Sequence, residues 1–157
     1  MSTILEEAES AVALLLESDE PQLYEQLGIR IKAIEQNPEI AGSFEPSLTY
    51  SEVAMGPLDS VRDLGQRICR RWERSAFDLV CGTSAADEQE RRSVADAFGI
   101  NGTAVAALMA TLLVSHFGLA PAIAAVVAAI VVKRFFHPAY EEFCAIWCER
   151  IAGPSAE

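Results

Sequence analysis

Residues 102–136 read GTAVAALMATLLVSHFGLAPAIAAVVAAIVVKRFF, and no formally charged residue occurs from residue 97 to residue 132 when the histidine is counted as neutral. A stretch this long without charge is unusual in a chain whose formal net charge is -11. A helix that is apolar on every side lies either in the core of a protein or in a membrane. The placement of this stretch therefore decides the fold.

The residues that start and end helices in this stretch predict two helices joined by a tight turn. Asn101 is a suitable N-cap for a helix over 102–117, Gly118 ends that helix, and Pro121 begins a second helix over 121–136. Rows of small residues let two helix backbones approach closely, so we expect the two arms to pack on each other as a hairpin. These small residues recur at four-residue spacing: Gly102, Ala106, Ala110, Ala124 and Ala128.

Amphipathic helices are predicted on both sides of the hairpin. Apolar residues recur at helical spacing over the ranges 4–17, 21–37, 57–81, 84–98 and 138–152. The periodicity fails over 39–56, which we interpret as a loop packed onto the core, the alternative being a functional segment. The sequence thus predicts an all-α fold with a single domain over 1–157. It is a compact bundle of six to seven helices around the central apolar helical hairpin, 102–136.

The overall composition suits one globular domain and excludes some classes of function. The 157 residues are 51% hydrophobic and 22% charged, which provides enough apolar surface for a core and rules out a disordered chain. The acidic balance argues against nucleic-acid binding, because the attraction to phosphate would act against the field of the whole protein.

The amino-terminal residues and the cysteines predict a cytoplasmic protein with reduced thiols. Acidic residues stand where a secretory signal would carry Lys or Arg, so we expect no targeting signal, and Cys69 and Cys81 are expected to be free, as are Cys144 and Cys148. The last two are one helical turn apart and could form half of a metal site. However, no CxxC pattern is present and the chain has only 2 histidines. We therefore favour small apolar residues in a packing stripe and predict no metal.

Charge is distributed unevenly along the chain. Residues 1–60 carry 12 acidic and 2 basic residues, whereas Arg67, Arg70, Arg71 and Arg74 crowd onto one predicted helix. One hypothesis is that these arginines bind an anionic membrane surface or a phosphate group. The alternative, which we favour, is that they pair with the acidic amino-terminal helices of the same fold.

Cations also lie at one end of the predicted hairpin. Lys133 and Arg134 lie at its exit, while Arg91 and Arg92 precede it, which suits a hairpin that enters a membrane from the cytoplasmic side. We therefore regard Lys133 and Arg134 as candidate contacts with a membrane or a partner. Each predicted arm is about 24 Å long, shorter than the hydrocarbon core of ~30 Å. His116, at the tip, is a candidate pH switch because the ordinary pKa of histidine is about 6.5, although a cap or a solvent-facing group is the more common role.

No familiar catalytic pattern is present. The sequence contains no HExxH, no GxSxG, no P-loop and no GxGxxG, and its Ser, Cys and acidic residues are not spaced as a nucleophile and its base. We therefore predict a non-enzymatic protein without a cofactor.

A central apolar hairpin wrapped by amphipathic helices resembles, in arrangement, the pore-forming domains of colicins and the helical apoptosis regulators. The resemblance covers 102–136 and its surroundings, and it implies a protein that alternates between soluble and inserted states. Two functions are predicted. In the first, the chain is a latent membrane-active protein that associates with the inner face of the membrane once its hairpin is released. In the second, it is a soluble interaction or adaptor module that holds a partner protein while the hairpin stays buried. The large apolar surface favours the first, and the shortness of both arms favours the second.

Overall fold

The computed structural model describes residues 2–44, 58–82, 88–135 and 139–155, and within these ranges the protein has seven α-helices, a short 3₁₀ helix (Pro38–Gly42) and no strand. The prediction of an all-α bundle is confirmed. The α-helices in chain order are α1 (Ser2–Leu15), α2 (Glu20–Gln36), α3 (Leu58–Cys81), α4 (Glu88–Ala97), α5 (Gly102–Phe117), α6 (Pro121–Phe135) and α7 (Tyr140–Ser155). One cluster of buried apolar residues receives side chains from all seven.

Helix α6 occupies the centre of this cluster. Every residue from 122 to 132 is buried, and the helix contacts α1, α2, α3, α5 and α7. Its partner α5 is buried along one face, while Leu108 and Leu112 on its other face are only half-buried. The two arms of the hairpin therefore differ, because α6 is enclosed on all sides and α5 forms part of the outer wall.

The hairpin begins and turns at the residues that the sequence indicated. The side chain of Asn101 accepts a hydrogen bond of 2.8 Å from the backbone N–H of Ala104, which caps α5. Gly118 adopts the left-handed backbone conformation, with φ 66°, and its N–H bonds back to the carbonyls of Leu113 and Val114. Glycine takes this conformation without steric cost, so α5 ends there.

Helices α2 and α3 pack closely because each carries a glycine at the point where they meet. A Cβ on Gly65 would lie 2.0 Å from the carbonyl oxygen of Tyr24, and a Cβ on Gly28 would lie 2.2 Å from the carbonyl oxygen of Val61. Both distances are far below van der Waals contact, so any larger residue would force the helices apart. The α2–α3 pair is thus a closely packed wall on one side of α6.

Two helix ends differ from the predicted bounds for local reasons. Helix α1 ends at Leu15, before the predicted 17, because the N–H groups of Glu17 and Ser18 bond to carbonyls three residues back at 3.1 and 3.0 Å in a tighter turn. Helix α7 continues to Ser155 through Gly153-Pro154, which was the expected stop. Gly153 and Pro154 therefore do not end α7, although a proline past the first turn of a helix removes one backbone hydrogen bond and crowds the carbonyl four residues back.

Some predicted features lie outside the described residues. These are the start of the helix predicted at 84, the end of the hairpin at 136, the start of the last helix at 138, and most of the loop predicted over 39–56. Of that loop, the 3₁₀ helix and the buried side chain of Phe44 are described.

Cys81 and Cys144 form a disulfide between α3 and α7, so the prediction that all four cysteines are reduced thiols is wrong. The packing of α7 against α3 places the two Cα atoms 5.7 Å apart, although 63 positions separate them in the chain. Closing a loop of this length stabilises the fold by about 4 kcal/mol, chiefly by lowering the entropy of the unfolded chain. Cys69 is free and buried, whereas Cys148 is free and exposed and does not belong to a packing stripe.

We expect Gly65→Ala to lower the free energy of unfolding by about 2 kcal/mol or more, because the added Cβ collides with the backbone of α2 rather than with a flexible side chain. Urea unfolding followed by circular dichroism measures this loss. Gly42→Ala is the matched control, since a Cβ at Gly42 meets nothing within 4 Å. Equal stability of the two variants would show that α2 and α3 do not pack as closely as described.

Candidate functional site

The apolar hairpin and the groups that hold it are the candidate functional site. Its most exposed part is the tip, where Ser115, His116 and Phe117 face solvent. Phe117 remains 39% exposed, although its ring lies 6.1 Å from the ring of Trp72 on α3. The Trp72–Phe117 contact therefore joins the tip to α3 without burying it.

His116, the candidate pH switch, lies in the last turn of α5 and is exposed. Its ring is 6.0 Å from that of Phe117, in an edge-on arrangement. This position is at the end of a helix and at the tip of the hairpin, and the role of His116 as a pH switch stays a prediction.

At the other end of α6, Arg134 is held inside the protein. Its guanidinium lies 3.2 Å from the carboxylate of Glu20 on α2 and 3.6 Å from that of Glu73 on α3, and it lies over the ring of Phe135 at 4.7 Å. Only 18% of the Arg134 side chain is exposed. Arg134 was considered a membrane or partner contact, and in this structure it joins the hairpin to two of the enclosing helices.

Glu73 links this ion pair to α7. Its side chain is 9% exposed, and its second carboxylate oxygen accepts a hydrogen bond of 3.0 Å from the indole N–H of Trp147. Trp147 is fully buried, as the apolar face of the last helix indicated. We call Glu20, Glu73, Arg134 and Trp147 the base cluster, because it lies where the hairpin ends and joins α2, α3, α6 and α7.

Two titratable groups beside the base cluster are kept neutral by burial. Burial, together with the negative charge of Glu73, raises the pKa of the Cys69 thiol to about 12. Burial also raises the pKa of Tyr24, whose hydroxyl donates a hydrogen bond of 3.2 Å to Glu20. Because the thiolate is the reactive form of cysteine, Cys69 is chemically inert in the folded protein.

Lys133 is the second basic residue at the base of the hairpin. Its ammonium group donates a hydrogen bond of 2.8 Å to the carbonyl of Leu16, directly after the end of α1. This carbonyl is among those that a helix leaves without an internal partner, and it carries the negative end of the helix dipole. Lys133 is exposed, so its ammonium group reaches both α1 and solvent.

A buried arginine holds the beginning of α6. Arg30 on α2 is only 4% exposed and donates to the carbonyls of Ala122 at 2.8 Å and Phe44 at 2.9 Å, and to the side chain of Gln26 at 2.9 Å. The sequence did not indicate that Arg30 is buried, because it is one of two basic residues in an acidic segment. Only the long-range packing of α2 on α6 shows that it is buried.

Four of the five arginines of α3 lie on its outer surface. Arg67, Arg70, Arg71 and Arg74 are all exposed, and Arg67 pairs at 3.0 Å with Asp63 of the same helix. Among the residues that the structure describes, none forms an ion pair with the other three. The pairing with the acidic amino-terminal helices is instead made by other basic residues, such as Arg62, which binds Glu25 on α2. We call these four arginines the α3 arginine face.

Two further kinds of feature, a metal site and a membrane-spanning helix, were sought among the described residues. No group of three or more His, Cys, Asp or Glu side chains among them is arranged to hold a metal ion. In the same part of the chain, no single helix is long and apolar enough to cross a membrane, and α6 and α7 meet that test only as a pair bent by 98°. Comparison with known proteins adds nothing to this, because no family model, no curated protein and no solved structure matches the chain.

We expect Arg134→Met to lower the free energy of unfolding by about 3 kcal/mol, because it leaves the carboxylate of Glu73 buried without its cation. Arg134→Lys should lose less, since the charge remains while the planar fork of donors is removed. Arg71→Met, on the exposed α3 arginine face, is the control and should change stability by no more than about 0.5 kcal/mol. Equal losses at both positions, measured by urea unfolding, would contradict the role of the base cluster.

Proposed function

We propose that this chain is a latent membrane-active protein. In the closed state the enclosing helices shield the α5–α6 hairpin, which is uncharged over 102–132, and in the open state the hairpin enters the membrane from its cytoplasmic face. The observation that carries the proposal is the combination of complete burial and absence of charge along 122–132. A helix that is apolar on every side is found either in a protein core or in the hydrocarbon of a membrane.

The way in which the hairpin is held supports this function. The polar groups that hold the hairpin act at the two ends of α6. Arg30 binds the carbonyl of Ala122 at the start of α6, and the base cluster and Lys133 act at its end. Between these ends the contacts of α6 are apolar, so they can be exchanged for contacts with lipid tails without leaving buried polar groups unpaired.

The α3 arginine face supplies a means of docking to an anionic membrane. A basic side chain near an anionic surface contributes about 1 kcal/mol of attraction. Arg70, Arg71 and Arg74 are exposed and clustered on one helix, which concentrates positive charge locally in an acidic protein. We infer that this face orients the protein on the membrane before the hairpin is released.

A soluble interaction module is the second candidate function, and the length of the arms favours it. With 16 and 15 residues, α5 and α6 are about 24 and 22 Å long, which is less than the ~30 Å of the hydrocarbon core. In this second function the hairpin stays buried as a permanent core, and a partner protein binds an outer groove.

The first experiment places an environment-sensitive fluorophore at the tip, through Ser115→Cys. The background is Cys148→Ala, since Cys148 is the exposed free thiol among the described residues. With vesicles of phosphatidylglycerol, the probe should shift to shorter emission wavelength and become protected from an aqueous quencher, because the tip enters the apolar interior. The control probe at Ser93→Cys, on the exposed surface of α4, should change little.

Each result of this experiment separates the two functions. A shift at the tip together with leakage of a dye trapped in the vesicles supports the membrane-active function. An unchanged tip probe, both in the oxidised protein and in the protein reduced after labelling, at vesicle concentrations that bind the protein or exceed it a thousandfold, supports the interaction module. Equal changes at both probes would indicate adsorption without insertion and would contradict the proposal.

The second experiment tests docking. The triple variant Arg70→Gln, Arg71→Gln, Arg74→Gln should bind phosphatidylglycerol vesicles at least tenfold more weakly in co-sedimentation, and the wild-type binding should weaken with added salt. The matched control is Lys32→Gln, Arg92→Gln, Arg150→Gln, which changes the net charge by the same amount on other helices. If the control loses as much binding as the triple variant, net charge rather than the α3 arginine face determines docking.

A further inference from the structure

Helix α7 covers the carboxyl-terminal half of α6 with an aromatic cluster. Phe143 and Trp147 are fully buried, and the ring of Trp147 lies 6.0 Å from Phe135 of α6 and 5.3 Å from Phe77 of α3. Phe143 in turn lies 5.0 Å from the ring of Phe98, between α4 and α5. The side chains of α7 therefore close the base of the hairpin against solvent.

Among the described residues, three directed bonds join α7 to α3. These are the Cys81–Cys144 disulfide, the hydrogen bond from the Trp147 indole to Glu73, and the hydrogen bond from the Tyr140 hydroxyl to the carbonyl of Val80. Two of the three meet the last two residues of α3, so the attachment is concentrated at one point. Cleavage of the disulfide would leave α7 held to α3 by the hydrogen bonds of Tyr140 and Trp147 and by the packing of its aromatic rings.

The disulfide also closes a loop around the hairpin. Between Cys81 and Cys144 lie all of α4, α5 and α6. With the bond intact, the carboxyl end of α3 and the beginning of α7 stay together, so the two ends of this loop cannot separate when the hairpin moves. Reduction removes that constraint without changing a single apolar contact.

The surroundings of the bond permit reduction. Cys81 and Cys144 are each only half-buried, whereas Cys69 is buried. Disulfides in the cytoplasm are usually transient and serve redox sensing or catalysis. A chain that acts at the cytoplasmic face of a membrane would meet dithiol reductants there.

We propose that the Cys81–Cys144 disulfide is a redox latch that keeps α7 closed over the base of the hairpin, and that reduction by a dithiol opens it. The role of the latch in membrane insertion rests on the proposed function, whereas the opening of α7 does not. In the reaction, a thiolate of the dithiol attacks the sulfur of one cysteine, which breaks the bond between the two cysteine sulfurs, releases the other cysteine as a thiolate and forms a mixed disulfide. The second thiol of the reductant then attacks the reductant's own sulfur in the mixed disulfide and displaces the cysteine held there. The dithiol becomes a cyclic disulfide, two electrons pass to the protein, and Cys81 and Cys144 each end as a thiol with one proton.

The test compares oxidised and reduced protein, first without lipid. Dithiothreitol is the dithiol, and hydrogen exchange followed by mass spectrometry reads the backbone amides of 140–150. We expect reduction to speed exchange in α7 at least tenfold more than exchange in α2, whose amides respond only to the loss of global stability. The double variant Cys81→Ala, Cys144→Ala should reproduce the reduced state without dithiothreitol. Cys148→Ala keeps the disulfide and should respond like the wild type.

The outcomes separate the latch from the proposed function. Unchanged exchange in α7 after complete reduction overturns the latch, whatever the protein does to vesicles. Faster exchange in α7, with leakage of phosphatidylglycerol vesicles only in the reduced state, supports both proposals. Faster exchange with equal leakage in both states overturns the control of insertion by the disulfide. Faster exchange with no leakage in either state supports the latch on α7 and contradicts the membrane-active function. If the double variant does not fold, reduction of the folded wild type still decides the result.

Discussion

Helix α6 has to be enclosed on every side, and the arrangement of the other helices follows from this requirement. From Pro121 to Val132 it carries no polar side chain, and the whole run from 122 to 132 is buried. Leaving such a helix in water would cost a free energy of about 25 cal/mol for each Å² of apolar surface that stays exposed. Its neighbour α5 covers one side, the closely packed α2–α3 pair and α1 cover others, and α7 covers the end. Gly28 and Gly65 contribute because they allow α2 and α3 to form one thick wall.

The groups that bear charge are placed at the ends of this apolar helix. Arg30 binds backbone carbonyls near its start, and Arg134 enters an ion pair with Glu20 and Glu73 near its end. Buried charges of this kind are costly unless each is paired, which explains why removal of one partner should be more damaging than removal of an exposed arginine. Their position also means that opening the ends exposes an uninterrupted apolar surface.

The Cys81–Cys144 disulfide links the proposed insertion of the hairpin to the proposed opening of α7. A cytoplasmic chain with free thiols would have to release its hairpin through a change in charge or by binding a partner. With Cys81 joined to Cys144, cleavage of the disulfide near the beginning of α7 would affect the helix that closes the base of the hairpin. This helix is joined to Glu73 of α3 by the hydrogen bond from Trp147. In the proposed function, the enclosing helices shield α6, the α3 arginine face is the docking surface and α7 is the point of control.

The amino-acid sequence by itself determined the helical class, the hairpin and the residues that begin and end its arms, because these depend on local properties. Asn101 caps a helix, Gly118 adopts φ 66° and Pro121 begins a helix through interactions within a few residues. The tertiary structure alone decided which arm is central, which cations are free and which cysteines are joined. Arg30 and Arg134 are internal while Arg70 is exposed, although all three are the same residue type in helical segments. Cys81 and Cys144 meet across 63 positions because α7 folds back on α3. Such pairings depend on the packing of helices far apart in the chain, and residue spacing carries no information about that distance.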